Sequence, residues 1–334
     1  MSDQARKRRL TSVDVAREAG VSRATVSYVL NDTPNQRIPE ATRRRVWDAV
    51  DRLGYAPSAA ARSLRSGRSE VVLALLPDWP FGRMVGAMLE QLAVALADVG
   101  LIFVAHPRAG SRRPVAEIWK AISPAAVLTW DPIEPADQAA MRAAGVKVTV
   151  GLFQRGDAGG LAVSEQRTGR LQAEHLAARG HRRLGYAFPD DERVLVFAEP
   201  RLAGVRSACA ELGLDPPDVR TVRIDRPSAV AAVRQWTAGP DPVTAVCAYN
   251  DEVAVAVLGG AREVGVSIPT DLAVIGVDDL PLSAIVDPAL TTVATDSGGL
   301  AAYLAAAVIA GLADEPAPRY PGSDIVELIV RDSA

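Results

Sequence analysis

The 334-residue sequence has few of the residues that bind metals or form disulfides. Its two cysteines, Cys209 and Cys247, are far apart and show no CxxC or metal-ligand spacing, so we expect reduced, buried side chains in a cytoplasmic protein. The three histidines lack an HExxH or comparable spacing, and no GxSxG, GxGxxG or Walker motif is present. The sequence therefore predicts no metal, no cofactor and no enzymatic activity.

Long apolar segments are also missing. No stretch reaches the roughly 18 uninterrupted apolar residues that a membrane span requires, and the basic start MSDQARKRRL is not followed by the apolar core of a signal peptide. We therefore expect neither membrane contact nor export. With 49% hydrophobic and 23% charged residues, the chain is expected to form two or three compact globular units.

Charge is distributed unevenly along the chain. Residues 1–69 contain fourteen lysines and arginines against seven acidic residues, a net charge of +7, so the remainder carries −10 of the total of −3. A small basic head on a large acidic body is typical of a protein that binds nucleic acid through its head. A solvated charged surface is the alternative interpretation.

The stretch TSVDVAREAGVSRATVSYVLN, residues 11–31, predicts two short helices around a glycine. Thr11 and Asp14 have the spacing of a capping box, Gly20 ends the first helix, and Ser22 caps the second. Small apolar residues expected to face inward are Val13, Val15, Ala16, Ala19, Ala24, Val26, Val29 and Leu30. The outward face of the second helix is expected to carry Arg23, Thr25, Ser27 and Tyr28. This pattern is typical of a helix-turn-helix, although a helical hairpin inside a core has the same spacing.

Two further helices are predicted before residue 70. In IPEATRRRVWDAVDRLGY, Pro39 suits a first helical position, Val46, Val50 and Leu53 recur on one face, and Gly54 ends the helix. The segment APSAAARSLRSGRS has few large apolar residues, so a helix that starts near residues 57–58 would be marginal by itself.

The sequence resembles the lactose-repressor/galactose-repressor family of bacterial transcription regulators. The resemblance rests on the opening stretch and on YAPSAAARSL, GHRRLGY, PRLAGVRSACAELGL, AVCAYNDEVAVAVLGGAREVGVSIPTDLAVIGVDDLPLS and PALTTV, which stand in family order over nearly the whole chain. It implies that AAARSL is a hinge helix that folds on operator DNA and inserts a leucine into the minor groove. The expected DNA-binding residues are Thr11, Ser22, Arg23, Ala24, Thr25, Ser27, Tyr28, Asn31, Ser58, Ala61, Arg62 and Leu64.

From about residue 70, apolar strand segments alternate with amphipathic helical segments, which predicts parallel sheets with helices on both faces. Ligands of such sheets bind beyond the carboxyl ends of the strands, where PDWPFGR, WDP, NDE and DDLP stand here. The resemblance implies an all-α helix-turn-helix head, a hinge helix and an α/β body of two periplasmic-binding-protein-like lobes. The expected boundaries are 1–56, 57–69 and 70–334, with lobe 1 at about 70–163 and 294–322 and lobe 2 at about 164–293 and 323–334.

The resemblance also implies a small-molecule effector between the lobes. The effector-binding positions of the family correspond to Arg201, Asn250 and Asp278, whose side chains suit a hydroxylated or amide-bearing ligand. Alternatively, Asn250 or Asp278 could cap the following helix, and Arg201 could pair with Glu199 or another carboxylate.

Two aromatic residues at strand ends, Phe81 and Trp130, could stack on a sugar ring or fill the core. Positions that differ from the sugar-binding members of the family are Gly151, Arg226, Thr295 and Ser297. We expect a homodimeric repressor that binds a pseudo-palindromic operator and responds to a sugar or a related metabolite. The segment LIVRDSA shows no heptad repeat, so no coiled-coil tetramer is expected.

Overall fold

The structure, a computed structural model, describes residues 10–30, 36–55, 69–80, 82–107, 115–130, 133–151, 161–320 and 325–334. Its contacts divide the chain into two units, residues 1–69 and 70–334. Among the described residues, none of the helices combines the length and the apolar character that crossing a membrane requires.

The described part of the first unit contains three helices, α1 (Ser12–Ala19), α2 (Arg23–Leu30) and α3 (Glu40–Leu53). At the start of α1, the Asp14 carboxylate accepts hydrogen bonds from the Thr11 backbone N–H at 2.9 Å and from its hydroxyl at 2.7 Å. Gly20 and Gly54 end α1 and α3 in the left-handed conformation, with φ of 64° and 60°. Pro39 precedes α3 as its N-cap instead of occupying the predicted first helical position.

The core of this unit is built from small aliphatic residues. Val15, Val26 and Val46, one from each helix, are fully buried. Val13 and Ala24 are exposed, so the prediction that they face inward is wrong. Each lies two residues from a buried valine, which is about 200° of rotation around the helix and therefore its opposite side.

The described residues of the second unit form two sheets. The first has the strand order β2-β1-β3-β4, and the second has the order β10-β9-β8-β7-β5-β6. All strand pairs are parallel except β9 and β10, which are antiparallel. The strands are β1 (Val71–Leu76), β2 (Ile102–Pro107), β3 (Ala126–Thr129), β4 (Val148–Gly151), β5 (Leu184–Pro189), β6 (Asp218–Val222), β7 (Ala245–Ala248), β8 (Ala273–Val277), β9 (Thr291–Thr295) and β10 (Val326–Ile329).

Helices cover these sheets, and short 3-10 helices occur at Glu192–Val194 and Pro281–Ala284. The α-helices are α4 (Arg83–Ala97), α5 (Val115–Ile122), α6 (Pro135–Ala143), α7 (Leu161–Ala178), α8 (Leu195–Glu211), α9 (Arg226–Thr237), α10 (Asp251–Val264) and α11 (Ser297–Leu312). We call the first sheet with α4, α5, α6 and α11 lobe 1, and the second sheet with α7 to α10 lobe 2. Cys209 and Cys247 are free thiols buried in the core of lobe 2.

The chain enters lobe 2 at α7, returns to lobe 1 after β9, and ends in lobe 2 with β10. Helix α11 packs against α4 and β4, although it follows a strand of the second sheet. This path makes both lobes discontinuous in sequence. Residues of the segments that follow β1, β5, β7 and β8 line the space between the two lobes.

Helices α7 and α8 approach each other through two glycines. A Cβ atom on Gly169 would overlap the backbone carbonyl of Arg201, and one on Gly204 would overlap the carbonyl of Gln166. Each helix thus places a glycine against the backbone of the other helix, and the two can come this close because neither position carries a side chain. This close approach brings the residues on these faces of α7 and α8, among them Glu165 and Arg201, within reach of each other.

We predict that Gly204→Ala destabilises the body of the protein by about 2 kcal/mol or more, because the new methyl group has to displace a backbone carbonyl. Gly259→Ala is the matched control, since Gly259 also lies inside a helix but nothing stands within 4 Å of an added Cβ. It should stabilise by about 0.5–1 kcal/mol through helix propensity. Urea unfolding followed by circular dichroism measures both, and equal effects of the two substitutions would contradict the close-packing explanation.

Candidate functional site

The first candidate site is the exposed side of α2. The Ser22 hydroxyl accepts a hydrogen bond from the Thr25 backbone N–H at 3.0 Å and so caps the helix. Arg23, Ala24 and Tyr28 are exposed beyond this cap, while Thr25 is half-buried. The exposed side of α2 therefore presents a long cation and a methyl group in its first turn and a phenol in its second turn.

The other predicted DNA-binding residues have different settings. The Thr11 side chain is engaged with Asp14 at the start of α1, and Ser27 is half-buried on α2. Six predicted site residues lie outside the described residues: Asn31, Ser58, Ala61, Arg62, Leu64 and Phe81.

The second candidate site is a cavity of about 590 Å³ between lobe 1 and lobe 2. Lobe 1 contributes the segment after β1 and the first turn of α4, and lobe 2 contributes the segments after β5, β6, β7 and β8. Three aromatic residues form much of the apolar wall: Trp79, Phe197 and Tyr249. The rings of Trp79 and Phe197 meet edge to face, with centroids 4.6 Å apart, so the two lobes are in contact at this wall.

Arg201, on α8, is a charged residue of the cavity wall that is only 3% exposed. Its Nε donates a hydrogen bond to the Glu165 carboxylate, and its Nη1 donates to the Tyr249 carbonyl at 2.8 Å. The guanidinium also lies 5.0 Å from the centre of the Tyr249 ring. Burial opposes the charged form, but the nearby Glu165 and Asp278 carboxylates outweigh it and raise the pKa of Arg201. Arg201 is therefore a permanent cation, paired as the sequence alternative expected but with Glu165 in place of Glu199.

Asp278 follows β8 and faces the same cavity. Its Oδ1 is 3.8 Å from Nη2 of Arg201. Asp278 and Asp279 have φ of 102° and 46°, conformations that side-chain-bearing residues rarely adopt, so the backbone is strained here. Burial raises the pKa of Asp278 to about 7, although Arg201 acts in the opposite direction. This carboxylate can therefore exchange a proton near neutral pH.

A buried carboxylate holds the strained segment in place. Asp251, the first residue of α10, accepts hydrogen bonds from the Leu280 backbone N–H at 2.8 Å and from the hydroxyls of Ser283 and Thr292 at 2.6 Å each. Burial raises the pKa of Asp251 despite these donors. Its role is to position the segment that carries Asp278.

Asn250 also lines the cavity, but its side chain caps α10. The amide oxygen accepts a hydrogen bond from the Val253 backbone N–H at 3.0 Å, as the capping alternative expected. The amide nitrogen is the group that this arrangement leaves to face a ligand. Asn250 thus serves the helix and the cavity at the same time.

Trp130 does not line the cavity. It is 3% exposed and packs edge to face on Trp79, with ring centroids 6.3 Å apart, so it supports the wall from behind. The segment PDWPFGR was identified from its place after a strand, yet the ring it contributes to the described wall is Trp79. Phe197 lies four residues before Arg201 on α8, a helical spacing that could have indicated it. Glu165 had no such signal, because its partner is 36 residues away in the sequence.

Two family models match this chain. The model of bacterial regulatory proteins of the lacI family matches residues 12–58, and the model of the periplasmic binding protein-like domain matches residues 173–334. The transcriptional regulator GalR of Escherichia coli strain K12 is 32% identical over 85% of this chain and 83% of its own length. The regulator MalR of Streptomyces coelicolor is 28% identical over 96% of this chain and 95% of its own.

Solved structures share the fold of this chain. The lac repressor dimer bound to operator and the anti-inducer ONPF covers 97% of this chain and 98% of its own, with a TM-score of 0.74 and 22% identity. The complex of the regulator CelR with cellobiose covers 98% of this chain and 100% of its own, with a TM-score of 0.62 and 25% identity. The chain therefore belongs to the lacI family of bacterial regulatory proteins and is a DNA-binding transcription regulator.

Proposed function

We propose that this regulator is a homodimeric repressor that binds a pseudo-palindromic operator and is controlled by a small molecule held between its lobes. The exposure pattern of α2 carries the DNA-binding part of the proposal: Val26 and Val29 are buried, whereas Arg23, Ala24 and Tyr28 are exposed. A recognition helix needs such a face to reach base edges in the major groove. The protein acts by binding in the cytoplasm and catalyses no reaction.

The proposed organisation is a head at residues 1–56, a hinge at 57–69 and a body at 70–334. One helix-turn-helix reads only a few base pairs, so two heads have to be held at a fixed spacing. The hinge residues, with Leu64 as the minor-groove wedge, provide this connection by folding on the DNA. A change in the angle between the lobes then controls DNA affinity by separating the two hinges.

The proposed effector is a sugar or a related metabolite that contacts Arg201, Asn250 and Asp278. The walls of the cavity support this class, because aromatic rings can cover the apolar face of a sugar while the polar groups bind its hydroxyls. Because both lobes line the cavity, a ligand there interacts differently with open and closed arrangements. Such differential binding is what shifts a conformational equilibrium.

The exposed edge of lobe 1 supports the dimer. Strand β2 is the outer strand of its sheet, and Ile102 at its start is 45% exposed. Val94 and Val99, just before it in the chain, are exposed as well. An apolar edge strand is an aggregation hazard unless another chain covers it, so we assign this surface to a second copy of the chain.

The DNA-binding assignment is tested with Arg23→Ala on variants of an operator selected with the wild type from random DNA. An arginine that bonds two acceptors of a guanine contributes roughly 1–3 kcal/mol of discrimination, so preference at one base position of each half-site should disappear. Arg52→Ala removes the same charge from α3, where Arg52 pairs with Glu18 at 3.3 Å, and should leave all base preferences unchanged. A uniform loss of affinity with Arg23→Ala would reduce Arg23 to a phosphate contact.

The effector assignment is tested with Asp278→Asn, which keeps the shape of the side chain and tolerates the positive φ. A thermal-shift screen of sugars on the wild type identifies a ligand, and its effect on operator binding is then measured by fluorescence anisotropy. The variant should keep operator affinity and bind that ligand about tenfold or more weakly, because hydrogen bonds to a charged group are lost. An unchanged response to the ligand would contradict the assignment.

Melting curves at several pH values provide the control for this variant. The pKa of Asp278 is raised from 3.8 to about 7 on folding, so the folded state binds a proton that the unfolded state has released. The stability of the wild type relative to Asp278→Asn should therefore fall by about 2–4 kcal/mol between pH 4 and pH 7 and then stay constant. The two proteins should have similar stability at pH 4.

The dimer surface is tested with Ile102→Asp, which places a charge on the apolar edge of lobe 1. Burying an unpaired carboxylate is costly, so the dimer dissociation constant should rise by about tenfold or more in sedimentation equilibrium. Leu212→Asp is the matched control, because Leu212 is 43% exposed at the end of α8 and belongs to no edge strand. Equal dissociation of both variants would place the contact elsewhere.

A further inference from the structure

The guanidinium of Arg201 is neutralised from inside lobe 2 before any ligand enters. Glu165, near the start of α7, is 4% exposed and does not line the cavity, yet its carboxylate accepts the hydrogen bond from Nε of Arg201. The Nη2 end of the same group lies 3.8 Å from Asp278. One cation is thus shared by two carboxylates, and this triad of Glu165, Arg201 and Asp278 carries a net negative charge when all three are ionised.

The other charged groups beside the cavity do not reverse this balance. Most of them form ion pairs: Arg223 with Asp225 at 2.8 Å and with Asp190 at 3.9 Å, and Asp191 with Arg193 at 2.6 Å. The wall also contains one further cation, Arg83, and one further carboxylate, Glu252. No excess of positive charge therefore remains for a ligand among the described residues of the wall. The buried triad, being the least accessible to solvent, is screened least and has the greatest influence on a bound charge.

The hydrogen-bonding capacity of Arg201 is also partly used. Two of its five N–H donors are engaged, with Nε serving Glu165 and Nη1 serving the Tyr249 carbonyl, so a phosphate or carboxylate cannot form two parallel bonds to Nε and Nη2 without displacing Glu165. An anion at this position would have to displace Asp278 or stand beside it as a third negative group. The raised pKa of Asp278 agrees with this balance, because burial and the nearby Asp251 and Glu165 outweigh the attraction of Arg201.

We propose that Glu165 is a specificity-determining residue that makes the cleft reject anionic effectors and accept uncharged ligands that donate hydrogen bonds to Asp278. This inference rests on the proposed effector function of the cleft and narrows its ligand class. Glu165 acts through Arg201 and touches no ligand itself. The site therefore selects a free sugar or similar polyol over its phosphorylated or carboxylated form.

The test uses inorganic phosphate as the probe and the full-length protein at pH 7.5, with binding measured by isothermal titration calorimetry. The wild type should show no saturable phosphate binding that depends on Arg201. In Glu165→Gln, which keeps an acceptor for Nε but removes the charge, phosphate should bind at least tenfold more tightly. The head is identical in both proteins, so phosphate bound by its arginines cancels in the comparison.

Two further variants separate charge from structure. Glu165→Asp keeps the charge and should bind phosphate no better than the wild type. Asp278→Asn removes the carboxylate that an entering anion would meet and should also gain phosphate affinity, whereas the two substitutions together should gain most. Circular dichroism melting curves establish that each variant is folded.

Three results would overturn the proposal. One is equal phosphate affinity in Glu165→Gln and the wild type, and another is a gain in Glu165→Asp as large as that in Glu165→Gln. The third is saturable phosphate binding by the wild type that Arg201→Gln abolishes, because this would show that the Arg201 guanidinium is already available to anions. Because phosphate binding is measured without operator DNA, failure here is distinguishable from failure of the proposed regulation, which the operator and sugar measurements report.

Discussion

The contact between α7 and α8 is the constraint on which the effector cleft depends. Two glycines, Gly169 and Gly204, let the helix backbones approach until side-chain-bearing residues would overlap carbonyl groups. Only at this distance do Glu165 and Arg201 meet inside lobe 2. A buried ion pair of this kind adds little net stability, because desolvating both charges offsets their attraction. Its value here is geometric and electrostatic: it fixes one cation at the floor of the cleft and sets the charge that a ligand meets.

The second support of the cleft is the network around Asp251. The segment after β8 holds Asp278 and Asp279 at positive φ, a conformation that costs free energy in non-glycine residues. Asp251 binds the far end of this segment, and Arg331 binds the Asp279 carboxylate at 2.6 Å. Strain is thus concentrated where the ligand is proposed to bind and is offset by buried hydrogen bonds outside the cavity. A preorganised acceptor loses less conformational entropy when it binds its ligand.

The sequence predicted the architecture well because strands, helices and caps depend on local patterns. The helix pair, its glycine and the placement of polar residues after strands were all readable from residue spacing. Val13 and Ala24 were assigned to the wrong face because apolar character alone does not indicate direction on a helix only eight residues long. Glu165 could not be predicted as a partner of Arg201, since the pairing depends on how two helices cross. The position of Trp130 behind Trp79 could not be predicted either, because it depends on tertiary packing.

The division of charge between head and body follows from the same physical requirements. Residues 1–69, the head with its hinge, have a net charge of +7 and are attracted to any DNA phosphate, which gives affinity without sequence information. In the proposed mode of binding, sequence preference comes from the exposed side chains of α2, and control comes from a body that avoids the phosphates itself. A body of net charge −10 meets the second requirement, and a cleft that rejects anions is consistent with it. Under the proposed mechanism, an uncharged effector changes the arrangement of the lobes without adding charge to either partner, so its influence on DNA binding comes from geometry alone.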